Sequence, residues 1–254
     1  MTKVIIMANK NVGYEVVKFL SNQPNVVIVA LFLTGINEKD DKKIIKALNN
    51  DSTLIFKGVR MHDRIEVLSQ LPDFDFIVTV FWPYLLKSDI LSLARVNTIN
   101  FHPALLPLNR GWYPHVFNIL HGSKAGVTLH CIDKKADTGN IWAQKIVSVY
   151  SDDTSDKLYY RLQHEIITLF KESWDGIVNG KLVPFSQENK VASYNSIKDV
   201  QAYDQIQLDL KYTGKEIINR LRARTFEDFG YAYFIDDEGS KIRLSLSLEK
   251  ERKT

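Results

Sequence analysis

Five short runs rich in Val, Ile and Phe dominate the first hundred residues: Val4–Ala8, Val26–Phe32, Ser52–Phe56, Phe74–Val80 and Val96–Asn100. Between them lie segments of helix size, Val12–Asn22, Asp41–Leu48, Asp63–Leu71 and a shorter piece from Tyr84 to Leu93. Near-continuous apolar runs are what strands buried on both faces require, and helix-sized spacers are what parallel neighbours require. The pattern therefore predicts α/β architecture, a Rossmann-like and mostly parallel sheet with helices on both faces and right-handed crossovers. No dinucleotide fingerprint accompanies it.

After Asn100 the organisation changes. His102 to Trp112 holds Pro103, Pro107 and Gly111 and reads as a loop, and Pro114 suits the first turn of a helix ending at His121. Ala125–Ile132 and Ile141–Val149 read as strands around the turn-prone Asp137-Thr138-Gly139-Asn140. Leu158, Leu162, Glu165, Ile166, Leu169, Phe170, Trp174 and Ile177 then recur at helical spacing, the longest such pattern, which stops near Gly180. Residues 1–182 are expected to form the catalytic core. The polar stretch Val183–Asn195 reads as a linker, and 183–254 as a linker plus a small module with a helix over Leu210–Arg224. A hairpin is expected from Gly230–Ile235 and Lys241–Ser247, turning at Asp236-Asp237-Glu238-Gly239.

Composition narrows the function classes. Lys and Arg number 33 against 30 Asp and Glu, a net charge of +3 that gives no reason to expect nucleic acid or a membrane surface as partner. No run approaches the length of a membrane span. Cys131 is the single cysteine, so no intrachain disulfide forms, and a cytoplasmic location is expected. No clustered Cys/His ligand set occurs, so no metal is expected.

The chemistry-bearing stretch is Asn100-Phe101-His102-Pro103-Ala104-Leu105-Leu106-Pro107, followed by Asp137-Thr138-Gly139. Asn100 is expected to end a parallel strand, where open α/β sheets collect their sites. Two residues apart in extended chain, Asn100 and His102 share a side. An Asn donates to a developing oxyanion, a His exchanges protons near neutrality, and an Asp orients or polarises the His. Such a trio serves attack on a carbonyl by an amine or by water. No side-chain nucleophile accompanies it, which favours direct transfer over a covalent intermediate. The spacing alone equally permits three unrelated structural roles.

These residues resemble the signature of the formyltransferases that use N10-formyltetrahydrofolate: Asn100, His102, the Pro103–Pro107 run, Arg110-Gly111, Gly126–His130 and Asp137-Thr138-Gly139. Ala104 and Asn140 stand where many members have Ser and Asp. The resemblance implies N10-formyltetrahydrofolate as co-substrate, with Asn100, His102 and Asp137 as the catalytic residues. It places the folate loop at Phe81, Trp82, Pro83, Tyr84, Leu85 and Leu86.

Asn109-Arg110-Gly111-Trp112-Tyr113-Pro114-His115 is similar to the loop of the sugar N-formyltransferases. These act on the amine of a nucleotide-linked amino-dideoxy sugar, for surface polysaccharides such as lipopolysaccharide O-antigen. The transfer-RNA-directed members carry a larger C-terminal barrel, and the short stretch after residue 182 suits the sugar-directed branch. The expected acceptor is dTDP-4-amino-4,6-dideoxyglucose, and the expected assembly is a homodimer through the C-terminal module. Formyltetrahydrofolate hydrolysis, another amine acceptor and a non-catalytic nucleotide-sugar module are the alternatives. Asn9, Lys10 and Asn11, ahead of the first helix, are candidate phosphate contacts, and Arg110, Trp112 and Tyr113 are the other candidate substrate contacts. As bland alternatives, Trp82 packs in the core, Arg220, Arg222 and Arg224 are helix-end charges, and Trp174 lies in the buried stripe of the long helix.

Overall fold

The computed structural model describes residues 1–58, 60, 63, 66 and 71–251. Seven strands make one sheet: β1 (Thr2–Ala8), β2 (Val26–Leu33), β3 (Leu54–Lys57), β4 (Phe74–Val80), β5 (Ala94–His102), β6 (Ala125–His130) and β7 (Ile141–Val147). Their spatial order is β3-β2-β1-β4-β5-β6-β7. Pairing is parallel from β3 through β5 and antiparallel between β5 and β6. The described helices are α1 (Lys10–Ser21), α2 (Glu38–Ile45), α3 (Ser88–Leu91), α4 (Pro114–His121), α5 (Ser155–Val178), α6 (Ile197–Gln201) and α7 (Gly214–Ala223). The expected mostly parallel, Rossmann-like sheet with flanking helices is present.

Local chemistry moves several boundaries. The Asn37 side chain accepts from the backbone N–H groups of Lys39 and Asp40, so α2 starts at Glu38 rather than Asp41. Asn9 likewise accepts from Lys10 N–H and starts α1 at Lys10, not Val12. Ser52 is folded onto Asn50 Oδ1 in a turn, which delays β3 to Leu54. The helix expected over Tyr84–Leu93 shrinks to α3, because Trp82 and Leu86 pack against the sheet's apolar cluster instead of continuing a helical face. The helix expected over Asp63–Leu71 lies outside the described residues. Strand β5 runs through His102, so Asn100 sits two residues inside the strand end rather than at it.

The chain divides into two compact units. The first comprises Met1–His102, Thr128–Gln144 and Ile166–Gln187. Successive strand residues point to opposite faces. On one face Phe76 and Phe101 meet Trp174 and Phe170 of α5, with ring centroids 6.1 Å and 4.9 Å apart. On the other, Ile5, Met7, Ala30, Phe32 and Ile77 form a buried cluster with Ile90. Within the same unit Phe185 pairs with Ile141 through two backbone hydrogen bonds, so residues beyond α5 are tied to the start of β7.

The second unit comprises Pro103–Val127, Lys145–Glu165 and Glu188–Thr254. Helix α4 packs on α7, and α6 and α7 each begin in a reciprocal capping box, Ser196 with Asp199 and Thr213 with Glu216. Each carboxylate accepts from a backbone N–H and a hydroxyl, which holds it below the usual carboxylate range. The hairpin forms as Ala232–Ile235 against Lys241–Leu244, with Gly239 left-handed in its turn. Arg222 and Arg224 are more than helix-end charges. Both are buried: Arg222 donates to the carbonyls of Tyr150 and Asp153, and Arg224 pairs with Asp204 at 2.6 Å. No described helix is long and apolar enough to cross a membrane.

Candidate active site

Register across three strands builds the centre of the site. Thr79 of β4 pairs with Asn100 of β5, which pairs with His130 of β6. Directly opposed residues share a face, so the three side chains form a row. The row closes as a hydrogen-bond chain. Thr79 Oγ1 donates to Asn100 Oδ1 at 2.7 Å, Asn100 Nδ2 meets His130 Nε2 at 2.9 Å, and His130 Nδ1 meets the Cys131 carbonyl at 2.7 Å.

A carbonyl only accepts, so His130 carries a proton on Nδ1, and in that neutral tautomer the Nε2 lone pair faces the Asn100 amide. That lone pair requires a donor, and the Thr79 hydroxyl supplies one to Oδ1. The Asn100 amide is thereby fixed in a single orientation, and its second N–H has no partner among the described residues. A fixed, unspent donor is what stabilising a developing oxyanion requires.

His102 lies two residues along β5 on the same side as Asn100, opposite Thr128. Asp137 Oδ1 stands 3.6 Å from His102 Nδ1 and 3.5 Å from His130 Nε2. Asp137 is within ion-pair reach of His102 Nδ1 and lies beside His130 Nε2. The imidazoles are almost fully enclosed while the Asp137 side chain is 15% exposed, so charge effects here are weakly screened. The structure therefore brings Asn100, His102 and Asp137 together.

Asp137 arrives on a turn of unusual backbone. It adopts the left-handed region at φ 56°, and Gly139 passes so close to β6 that an added Cβ would stand 1.9 Å from the Cys131 carbonyl oxygen. Only glycine fits there. Asn140 returns its carbonyl to Cys131 N–H at 2.7 Å, and Thr138 Oγ1 donates to Asp133 Oδ1. Burial pushes the Cys131 thiol up to about 11, leaving it a packing group rather than a nucleophile.

The remaining candidates divide between the units. In the first, Asn9 caps α1 and donates from Nδ2 to the Phe81 carbonyl at 3.2 Å, joining the ends of β1 and β4. Lys10 and Phe81, like Asp137, are left-handed, and such conformations cluster where function over-determines the backbone. Asn11 Oδ1 accepts from Lys43 at 2.8 Å. Trp82 stands edge-on to Tyr84, its Nε1 buried without a partner, while Pro83 and Leu85 are exposed.

In the second unit, Arg110 Nη2 donates to Asn189 at 2.7 Å, and Arg110-Gly111 pairs in parallel with Tyr194-Asn195. This pairing replaces part of the expected loop. Asn109, Gly111 and Tyr113 are all left-handed, and Trp112 and Tyr113 are left about 45% and 43% exposed. Sequence reasoning did not assign Thr79, His130 or Gln187 to the site. His130 stood inside a recognisable strand, but its partnership with Asn100 is a matter of register. Gln187, whose amide reaches the Asp137 turn, came from the presumed linker. Among the described residues no group of three or more His, Cys, Asp or Glu side chains is arranged to hold a metal ion.

The Formyl transferase family model matches residues 4–172, and the N-formyltransferase dimerization C-terminal domain matches residues 199–250. The chain is 38% identical over 157 residues to a dTDP-4-amino-4,6-dideoxyglucose formyltransferase of Mycobacterium bovis, covering 62% of this chain and 67% of that protein. It is similar in structure to a 4-N formyltransferase from Francisella tularensis, with TM-score 0.83, 29% identity and coverage of 98% and 99% of the two chains. An N-formyltransferase from Helicobacter canadensis in complex with folinic acid and dTDP-3-aminofucose gives TM-score 0.70 at 26% identity, over 90% and 82%. This chain belongs to the formyl transferase family.

Proposed function

We propose that this enzyme transfers the formyl group of N10-formyltetrahydrofolate to the amine of a nucleotide-linked amino sugar, with dTDP-4-amino-4,6-dideoxyglucose as acceptor. The observation that carries the chemistry is the fixed Asn100 amide beside His102 and Asp137. The mycobacterial relative supports the acceptor by its named activity, and the Francisella 4-N formyltransferase supports the 4-amine position.

The co-substrate supplies an amide-like formyl carbon when bound. Residues Phe81 to Leu86 fit its pterin: Trp82 Nε1 is a buried donor without an acceptor, and the segment pairs that donor with exposed apolar surface. Asn100 donates its second amide hydrogen to the formyl oxygen as charge develops. His102, with Asp137 behind Nδ1, takes the proton that the attacking amine loses and returns one to the departing folate nitrogen. Fixed donors of this kind cost no reorganisation during reaction. In the second unit Arg110, Trp112 and Tyr113 are candidate substrate contacts; in the first, the Asn9–Asn11 turn is a candidate phosphate contact.

An acceptor panel tests the reading. With N10-formyltetrahydrofolate saturating, dTDP-4-amino-4,6-dideoxyglucose is expected to give a kcat/KM at least about tenfold above its 3-amino isomer and a GDP-linked 4-amino sugar. A preference for either competitor overturns the acceptor while leaving transfer intact.

The second unit supports a homodimer. Tyr231, Ile235 and Ile242 leave apolar surface exposed on or beside a two-stranded hairpin, which is marginal alone in water. A second copy is the natural cover, giving a homodimer through residues 199–250. Light scattering on the eluting protein is expected to return twice the 29.2 kDa chain mass. A monomer throughout the micromolar range contradicts it.

A further inference from the structure

We propose that Gln187 is a positioning residue of the active site, acting through Asp137. Its Nε2 lies 2.9 Å from the Asp137 carbonyl oxygen and 2.7 Å from that of Gly139, so one primary amide spends its two hydrogens on the carbonyls flanking Thr138. Gln187 is 9% exposed and reaches the turn from 48 to 50 residues away in sequence. Its own segment is anchored at Phe185 by two backbone hydrogen bonds to Ile141, 3.0 Å and 2.7 Å long.

The clamp sits where the turn has most need of it. Asp137 is a non-glycine residue in the left-handed region, a conformation that persists only when its surroundings over-determine it. Cys131, Asn140, Asp133 and Thr138 hold the flanks of the turn, whereas Gln187 holds the peptide units that set the direction of the Asp137 side chain. That carboxylate stands 3.5 Å and 3.6 Å from two imidazoles, so its direction decides how it meets each ring. Rotation of the peptide after Asp137 therefore moves the carboxylate relative to His102, and displacements near 1 Å are enough to be felt in rate.

The inference rests on the catalytic reading of Asp137, and the experiment separates the two. Gln187→Met keeps length and volume and removes both donors. With N10-formyltetrahydrofolate and the fastest acceptor of the panel, it is expected to lower kcat about tenfold while KM for the sugar nucleotide stays within about twofold. In an Asp137→Asn background, followed in single turnovers, the same change is expected to have no further effect, because the two residues act as one. Gln187→Glu supplies a second variant: ionised, it faces two carbonyls with acceptors alone, and its rate relative to wild type is expected to rise as acid restores a donor. A merely structural glutamine would not produce that pH signature. Wild-type kcat in Gln187→Met, or an equal tenfold loss in the Asp137→Asn background, overturns the proposal. Full turnover by Asp137→Asn alone overturns instead the reading of Asp137.

Discussion

Asn100→Ala is expected to slow formyl transfer about a hundredfold to a thousandfold, the usual cost of deleting one oxyanion donor. The size follows from how completely the amide is pre-set. Thr79 holds its oxygen and His130 its nitrogen, leaving one N–H whose direction needs no adjustment when charge develops. Alanine removes that donor and strands the His130 lone pair. Asn100→Asp is expected to be no better, since a carboxylate oxygen would then face Nε2. Single-turnover formation of formylated sugar measures the effect free of product release. A rate within about threefold of wild type would remove Asn100 from the catalytic assignment.

Trp174→Ala is expected to cost about 3–5 kcal/mol of stability, in the range for truncating a buried aromatic. Trp174 is among the largest fully enclosed side chains and meets Phe170 at 5.4 Å and Phe76 at 6.1 Å between ring centroids. The vacated space sits between a helix and a sheet whose positions are fixed by other contacts, so collapse is incomplete. Urea unfolding with Trp174→Phe as the intermediate case measures it. A loss below about 1 kcal/mol would mean that the α5 face is not the tight layer described.

The strands were legible because burial on both faces writes itself into sequence as unbroken Val, Ile and Phe. Phe74–Val80 emerges with its expected ends, and the stripe ending in Ile177 becomes α5. Helix starts were less legible where an Asn cap, as at Asn9 and Asn37, lay a residue or more before the apolar pattern. Helix α6, five residues long with a capping box at Ser196 and Asp199, was too short to show any periodicity.

In the site, the pair Asn100 and His102 could be read from a spacing of two along a strand. Thr79, His130 and Gln187 could not, because each meets its partner only through inter-strand register or a turn folded back on β6. The basic run Arg220, Arg222, Arg224 misled for a related reason. Alternate charges look solvated until the carbonyls of Tyr150 and Asp153 come to bury one of them.

The most direct test of the account follows the formyl carbon itself. Purified enzyme is mixed with isotopically labelled N10-formyltetrahydrofolate, with and without dTDP-4-amino-4,6-dideoxyglucose, and both tetrahydrofolate and label are tracked. Direct transfer predicts one labelled N-formyl sugar for each tetrahydrofolate released, and almost no release when the acceptor is omitted. Release of tetrahydrofolate and labelled formate at an undiminished rate without the sugar would contradict it.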